Sequence, residues 1–483
     1  VQEVRTPQGT QGTAVRQALS GGRTPGPAPT LSGMAEPEVP PADLRFGTDG
    51  IRGRAGTRIV DPVVRALGRA AAGLLDSDRV FLGRDTRESG PGLSRALAEG
   101  LAAGGLDVVQ MGVVPTPAVA HAAAVEGAAA AVVTASHNPW WDNGVKLFSA
   151  GGLKLDDAQQ AAIQAAWDAL PELEGSPGLE RWSDDPSTDA VHRWVDAVVG
   201  SVRPAALAGL AVVVDCANGA TSAIAGPALE RLGADVTVIH SEPDGRNIND
   251  ACGSTQPAAL QAAVTAIGAD AGLAFDGDGD RVLAVGHDGS LIDGDGLLAV
   301  VGVDRQQRGV LPGSTVVVTV MANLGLRRAL ADHGIAVRET AVGDRYVLEA
   351  LEADGLTLGG EQSGHLIFRD LATTGDGLLT GIQALDAACR AGRTLGDRVA
   401  ELMVRAPQVL HSVPVAGNGE ALVELVAAEV ATAAAELGDV GRVLVRASGT
   451  EPVVRVMVEA FDMERASAVA DRLVEAVERA DRT

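Results

Sequence analysis

From Leu44 onward, short apolar runs alternate with stretches in which alanine and leucine recur at helical spacing. Val80-Phe-Leu-Gly83 reads as a buried strand, Gly92 to Ala103 as a helix, and Asp107-Val-Val-Gln-Met111 as the next strand. The order restarts at Ala211-Val-Val-Val-Asp215, followed by a helix through Leu232, and again at Ser314-Val-Val-Val-Thr319, followed by a helix over Leu324 to His333. Strand–helix alternation is the pattern of α/β units, so three are expected. The tail differs: Ala421 to Leu437 and Met463 to Ala480 read as amphipathic helices around strands at Arg442 to Arg446 and Val453 to Val458, a smaller α+β unit. Seams rich in turn formers lie at Pro171 to Asp189 and around Asp293 and Pro407. The expected division is α/β domains over 42–188, 189–293 and 294–405, then an α+β domain over 406–483. Residues 1–41, rich in Gly, Pro, Thr, Ser and Gln without either period, read as a disordered extension with no catalytic role. Met34, just before the first folded stretch, is the expected natural start.

Composition narrows the classes. At about 150 residues per domain, 483 residues allow roughly three domains, and 46% hydrophobic with 21% charged residues is ordinary globular usage. A net charge of -24 repels polyphosphate backbones, so no nucleic-acid partner is expected. Cys216, Cys252 and Cys389 are far apart, without CxxC spacing, which favours a reducing compartment over a disulfide framework. The most apolar stretch, Ala118 to Ala135, is interrupted by His121 and Glu126 and falls short of the ~20 apolar residues of a membrane span. With no secretory pattern at the start, the expected location is the cytoplasm. Of 39 basic side chains only Lys146 and Lys154 are lysines. Lysine, unlike arginine, can give up a proton, so a lysine kept in such a background suits acid–base work, chance retention being the alternative.

Four motifs carry chemistry. In Val132-Val-Thr-Ala-Ser-His-Asn-Pro139 a strand runs into a small-residue turn that exposes Ser136 as a nucleophile. Neighbouring side chains of an extended segment point apart, so His137 is not expected to activate it. Phe275-Asp-Gly-Asp-Gly-Asp-Arg281 brings three carboxylates together on a glycine-bent turn, hard oxygen ligands for a divalent cation. It is no EF-hand loop, since Arg281 stands at the sixth position and His287 at the twelfth. Mg²⁺ completed by a phosphate oxygen fits better. Gly359-Gly-Glu-Gln-Ser-Gly-His365 offers hydrogen-bonding groups to a polyhydroxylated ligand, although taken alone it is better read as a polar turn. Arg446-Ala-Ser-Gly-Thr-Glu-Pro452, with Arg455 beyond, gathers guanidiniums, hydroxyls and backbone amides suited to a phosphate dianion, or to pairing with carboxylates. Gly294-Asp-Gly-Leu-Leu-Ala299 matches GxGxxA, but Asp295 would face a pyrophosphate, so no dinucleotide site is read.

In this order the four motifs resemble the α-D-phosphohexomutase family. Arg45-Phe-Gly-Thr-Asp-Gly-Ile-Arg-Gly53, Asp215-Cys-Ala-Asn-Gly-Ala-Thr221 and Val342-Gly-Asp-Arg-Tyr-Val347 strengthen the resemblance, which spans about residues 44 to 460. Trp140-Trp141 departs from it, standing where a Tyr pair is expected. The resemblance implies three α/β domains with mixed sheets plus a smaller C-terminal α+β domain, a mobile lid, around a central cleft. It implies that Ser136 is a phosphoserine whose phosphate, with Asp276, Asp278 and Asp280, coordinates Mg²⁺. Glucosamine 6-phosphate would place its phosphate on Arg446, Ser448, Gly449, Thr450 and Arg455, and its hydroxyls on Glu361 and Ser363 with His365 adjacent. Lys146 would carry the proton, assisted by His365 and Arg52. The product would be glucosamine 1-phosphate, formed through a 1,6-bisphosphate that also primes the serine, for UDP-N-acetylglucosamine synthesis. Glucose and mannose phosphates are the alternative substrates. A phosphatase would need water at the phosphoserine, and a non-catalytic binder would have no use for a nucleophile beside a metal loop. A phosphosugar is the only obligatory partner, and a homodimer is compatible.

Overall fold

The computed structural model describes residues 44–47, 50–170, 187–448 and 452–482. The expectations for 1–41 and Met34, most of the 171–189 seam, and Gly449 and Thr450 lie outside them. Four sheets are present among the described residues. The first holds β1 (Ile51–Arg54), β2 (Arg79–Arg84), β3 (Asp107–Val113), β4 (Ala129–Val133), β5 (Asp142–Ser149) and β6 (Leu153–Lys154), in the order β1-β5-β4-β2-β3 with β6 on β5. The second holds β7 (Ala211–Asp215), β8 (Asp235–Ile239), β9 (Ala271–Phe275), β10 (Val282–Gly286) and β11 (Leu291–Ile292), ordered β11-β10-β9-β7-β8. The third holds β12 (Thr315–Thr319), β13 (Ala336–Thr340), β14 (Leu358–Gly360) and β15 (Leu366–Phe368), ordered β13-β12-β14-β15. All three mix parallel and antiparallel pairs. The fourth is antiparallel: β18 (Val453–Ala460) lies between β16 (Gln408–Pro414) and β17 (Gly441–Ala447).

Alternation explains the layering. Along β4, Ala129, Ala131 and Val133 face a core shared with the helices Asp61–Ala72 and Gly90–Ala103. Ala130 and Val132 face the opposite way, into a core that runs on through the second and third units. Helices cover both faces, so the strand reads as one apolar run. The fourth unit has its own core, with the helix Met463–Asp481 laid on its sheet. Its junction with the third unit is polar: Arg442 donates to the carbonyls of Val320 and Ala322 (2.8 and 2.9 Å) and to Glu459, which also accepts from Asn323 and the Leu324 N–H.

Two expected helices differ. The helix after β7 begins only at Ala225, because the Asp215 carboxylate accepts the Ala217 N–H and Ala217 and Asn218 take left-handed angles (φ 53° and 47°). This is the local turn by which Asp competes with helix formation. The stretch from Ala421 to Leu437 breaks at Val426 into two helices, Gly419–Leu425 and Ala427–Leu437.

The functional loops leave the carboxyl ends of parallel strands: Thr134–Ser136 after β4, Asp276–Arg281 after β9 and Glu361–His365 after β14. Open α/β sheets bind ligands at such ends.

Candidate active site

Ser136, expected to be exposed by its turn, is instead buried, because the loops around it close over the strand end, and it is held in a left-handed conformation (φ 51°), costly for a residue with a Cβ and therefore maintained by its surroundings. Its N–H donates to Thr134 Oγ1 at 2.8 Å, and Thr134 donates in turn to Asp85 at 2.6 Å. Asp85 pairs with Arg87 at 2.8 Å, both fully buried. Arg87 donates to the carbonyls of Ser136 (2.9 Å), Asn138 (2.8 Å), Asp142 (3.0 Å) and Pro139, while Asn249 also donates to Ser136 and Asn138. Sequence reasoning passed over Asp85, Arg87 and Asn249. An Asp-x-Arg directly after a buried parallel strand was the available signal.

The left-handed turn also brings together a pair that extended geometry separates: Ser136 Oγ lies 3.3 Å from His137 Nδ1. The expectation that their side chains diverge is corrected here, because Ser136 is not extended. His137 is nevertheless a weak base, lowered to about 4 by burial and by the charges of Arg281 and Arg52. The stronger partner is Asp276, whose carboxylate accepts from Ser136 Oγ at 2.7 Å.

Asp276, Asp278 and Asp280 lie on the tight connection between β9 and β10, all buried, with ligand oxygens within 4.8 Å of one another. A Cβ at Gly277 would stand 2.7 Å from the Ser136 carbonyl, so a larger residue would push the three-aspartate loop and the serine loop apart. Lys146 on β5 donates to Asp278 at 2.8 Å and to Asp280 at 2.7 Å, and Thr116 donates to Asp278. Asp278 Oδ1 and Asp280 Oδ1 are buried without a hydrogen-bond partner. Burial first, then the charges of Asp280 and Asp278, push Asp276 well above the carboxylate range. For Asp280 burial acts the same way, but Lys146, His365 and Arg281 outweigh it and hold the group well below that range. Crowded carboxylates with orphaned oxygens fit a small divalent cation.

His365 completes the cluster. Nδ1 lies 3.7 Å from Asp280 Oδ1, and Nε2 lies 3.2 Å from Asp344 Oδ2, within ion-pair distance though off the hydrogen-bond axis. Burial opposes its charging, but Asp344 and Asp280 prevail and raise its pKa. Glu361 accepts the Gly343 N–H at 3.0 Å and is raised by burial, while Ser363 is exposed. Arg52 on β1 is paired in register with Gly144. On the fourth sheet Arg446 and Arg455 stand directly opposite each other, half-buried, and burial together with Arg455 lowers the Arg446 pKa. Like charges opposed across a ladder are unfavourable alone and favourable around an anion. Ser448 follows Arg446 on that strand end, its N–H donating to Val453 O at 2.9 Å. Thus Ser136, Lys146, the three aspartates and His365 form one connected group, and Arg446, Ser448 and Arg455 a separate one on the fourth unit.

A further set of donors, Asp215, His240 and Cys252, is engaged structurally. Asp215 accepts the N–H groups of Ala217 and Gly253 and lies 3.0 Å from His240, while burial pushes the Cys252 thiol up to about 12, leaving it protonated.

Family models match nearly the whole described chain. Phosphoglucomutase/phosphomannomutase alpha/beta/alpha domain I matches residues 43–173, domain II 192–289, domain III 293–406, and the C-terminal domain 410–476. A phosphoglucosamine mutase of Thermobifida fusca is 50% identical over 443 residues, covering 89% of this chain and 97% of that protein. One of Corynebacterium glutamicum is 48% identical over 439 residues, covering 89% and 98%. Among solved structures, a phosphoglucomutase/phosphomannomutase family protein of Burkholderia thailandensis superposes with a TM-score of 0.73 at 28% identity, covering 90% of this chain and 97% of that one.

Proposed function

Because the chain belongs to the phosphoglucomutase/phosphomannomutase family, we propose that it interconverts glucosamine 6-phosphate and glucosamine 1-phosphate by phosphoryl transfer through Ser136. The observation that carries the reading is the 2.7 Å contact of Ser136 Oγ with Asp276, which sets the nucleophile on the three-carboxylate loop. Ser136, carrying a phosphoryl group, passes it to the sugar O1: the bond from phosphorus to Oγ breaks as the bond to O1 forms. The resulting 1,6-bisphosphate turns end over end, and Ser136 Oγ takes back the former 6-phosphoryl group, releasing the 1-phosphate. A proton must leave O1 as its bond to phosphorus forms, and one must be delivered to O6 as the bond from phosphorus to O6 breaks in the second half. Lys146 carries the proton, with His365 and Arg52 assisting. Asp276, Asp278 and Asp280, with the serine phosphate, would hold Mg²⁺, which supplies positive charge opposite the transferring group.

Arg446, Ser448, Gly449, Thr450 and Arg455 receive the phosphate that is not reacting, and Glu361 and Ser363 the sugar hydroxyls. One phosphate site then serves both isomers. A 1,6-bisphosphate primes Ser136. The reading places the enzyme in the cytoplasm, supplying UDP-N-acetylglucosamine synthesis, and asks for no nucleic-acid or membrane partner; a homodimer is compatible with it. Among the described residues no helix is long and apolar enough to cross a membrane.

The test is kcat/KM with Mg²⁺ and a bisphosphate primer, comparing glucosamine, glucose and mannose 6-phosphates on one preparation. Preference for the amino sugar is expected. Equal or better turnover of the neutral sugars would move the substrate but keep the residues, and release of inorganic phosphate in place of isomer would indicate a phosphatase. Ser136→Ala should be inactive and take up no phosphate from the bisphosphate by intact mass, and wild-type turnover in that variant would refute the reading.

A further inference from the structure

Lys154, the other retained lysine, takes no part in the steps above, yet it lies in the same buried network. The β5–β6 hairpin carries both lysines, with Phe148 paired to Lys154 in register. Lys146 meets Asp280 and Lys154 meets Asp344. Between these two carboxylates stands the imidazole of His365, 3.7 Å from one and 3.2 Å from the other. One hairpin of the first unit therefore grips, through two aspartates of other units, both edges of a single ring of the third.

The surroundings leave the ring little freedom. Gly375 lies flat against it: a Cβ there would stand 2.3 to 2.5 Å from Nε2, Cδ2 and Cε1. Asp344 opens the helix Asp344–Asp354, and the preceding Gly343 N–H is tied to Glu361 at 3.0 Å. The next residue, Arg345, pairs with Asp157 of the first unit at 2.6 Å, so two successive residues of the third unit are fastened to the first. In Arg345–Asp157 the arginine is buried but the Asp157 side chain is 84% exposed, so water screens the pair and its expected worth is small. Lys154 and Asp344 are 9% and 8% exposed, and a pair so enclosed is costly to leave with one partner. A lysine suits it, as a compact charge that reaches one carboxylate oxygen without the five-donor fork of arginine.

We propose that Lys154 and Asp344 are a positioning pair that orients His365 against Asp280 and thereby sets the rate of phosphoryl transfer. The inference rests on the functional reading above, in which His365 assists the transfer. Neither member of the pair has to touch substrate. Groups that orient a working side chain govern turnover more than binding, because small misplacements at the reacting centre are magnified in the rate.

The experiment is steady-state kinetics on the full chain with Mg²⁺, primer and glucosamine 6-phosphate, for Lys154→Met, Asp344→Asn, His365→Gln and the doubles with His365→Gln. Lys154→Met and the isosteric Asp344→Asn should each lower kcat about 10- to 100-fold, with KM within about threefold of wild type; both should also melt lower, since each leaves a buried charge without its partner, so kcat is compared at a temperature where every variant is folded. Added to His365→Gln, each should cost less than about threefold more, since residues acting through one group are not additive. Full multiplication in the doubles would overturn the proposal, as would a raised KM at unchanged kcat, which marks substrate binding. Wild-type turnover in His365→Gln would overturn it at its premise. A wild-type protein inactive on every phosphosugar would instead overturn the functional reading, so the two failures are separable.

Discussion

Gly375→Ala adds one methyl group and should cost most of the turnover. The added Cβ would stand 2.3 Å from His365 Nε2 and 2.5 Å from Cδ2 and Cε1, against 3.4 Å for the start of ordinary contact, so the ring must withdraw by about 1 Å. His365 is 1% exposed and lies between Asp280 and Asp344, so that movement breaks its registry with Asp280. A displacement of about 1 Å in a catalytic group costs roughly 100-fold in rate, and overpacking a filled interior costs about 1–3 kcal/mol in stability. Gly73→Ala is the control: its φ is -81°, no atom lies within 4 Å of the added Cβ, and kcat should not change. Steady-state kinetics with primer and Mg²⁺, beside urea unfolding of both variants, separates rate from folding. A Gly375→Ala protein within about threefold of wild-type kcat would refute the claim that the ring's position matters.

Asp278→Asn removes one charge from the carboxylate cluster and should weaken Mg²⁺ binding at least about tenfold by calorimetry; equal affinity would remove Asp278 from the ligand set. His240 is raised by the Asp215 carboxylate 3.0 Å from its Nδ1, so the stability it adds is fully present below the unfolded imidazole pKa of about 6.5 and is lost as pH rises through the higher folded value. Melting temperature should therefore fall across that window in wild type and fall less in His240→Gln; parallel profiles would discount the pair. Arg442→Met leaves Glu459, fully buried, without its cation and two carbonyls without their donor, costing about 3 kcal/mol in urea unfolding. A loss below about 1 kcal/mol would mean that the polar junction between third and fourth units is not held by that arginine.

Much of this molecule was readable from local pattern. Strands β2, β7 and β12 follow apolar runs whose period needs no tertiary context, and the three aspartates converge because a spacing of two with glycines between them suits a tight connection. Ser136 was readable as a residue set where a strand meets a turn. The lysine census pointed to two residues, and both lie in the buried network, Lys146 paired with Asp278 and Asp280 and Lys154 with Asp344.

What the chain alone left undecided depends on which strand ends the topology brings together. Asp85 and Arg87 hold the Ser136 loop only because β2 lies beside β4, and Asn249 reaches that loop from the second unit. Ser136 and His137 meet through a backbone angle that neighbouring packing enforces. The helix after β7 starts late because Asp215 captures a backbone N–H that helical periodicity alone would assign to a helix. Periodicity is a property of a few consecutive residues and survives in the sequence as a pattern. A salt bridge between Lys154 and Asp344, 190 positions apart, is set by strand order and register, and no local pattern records it.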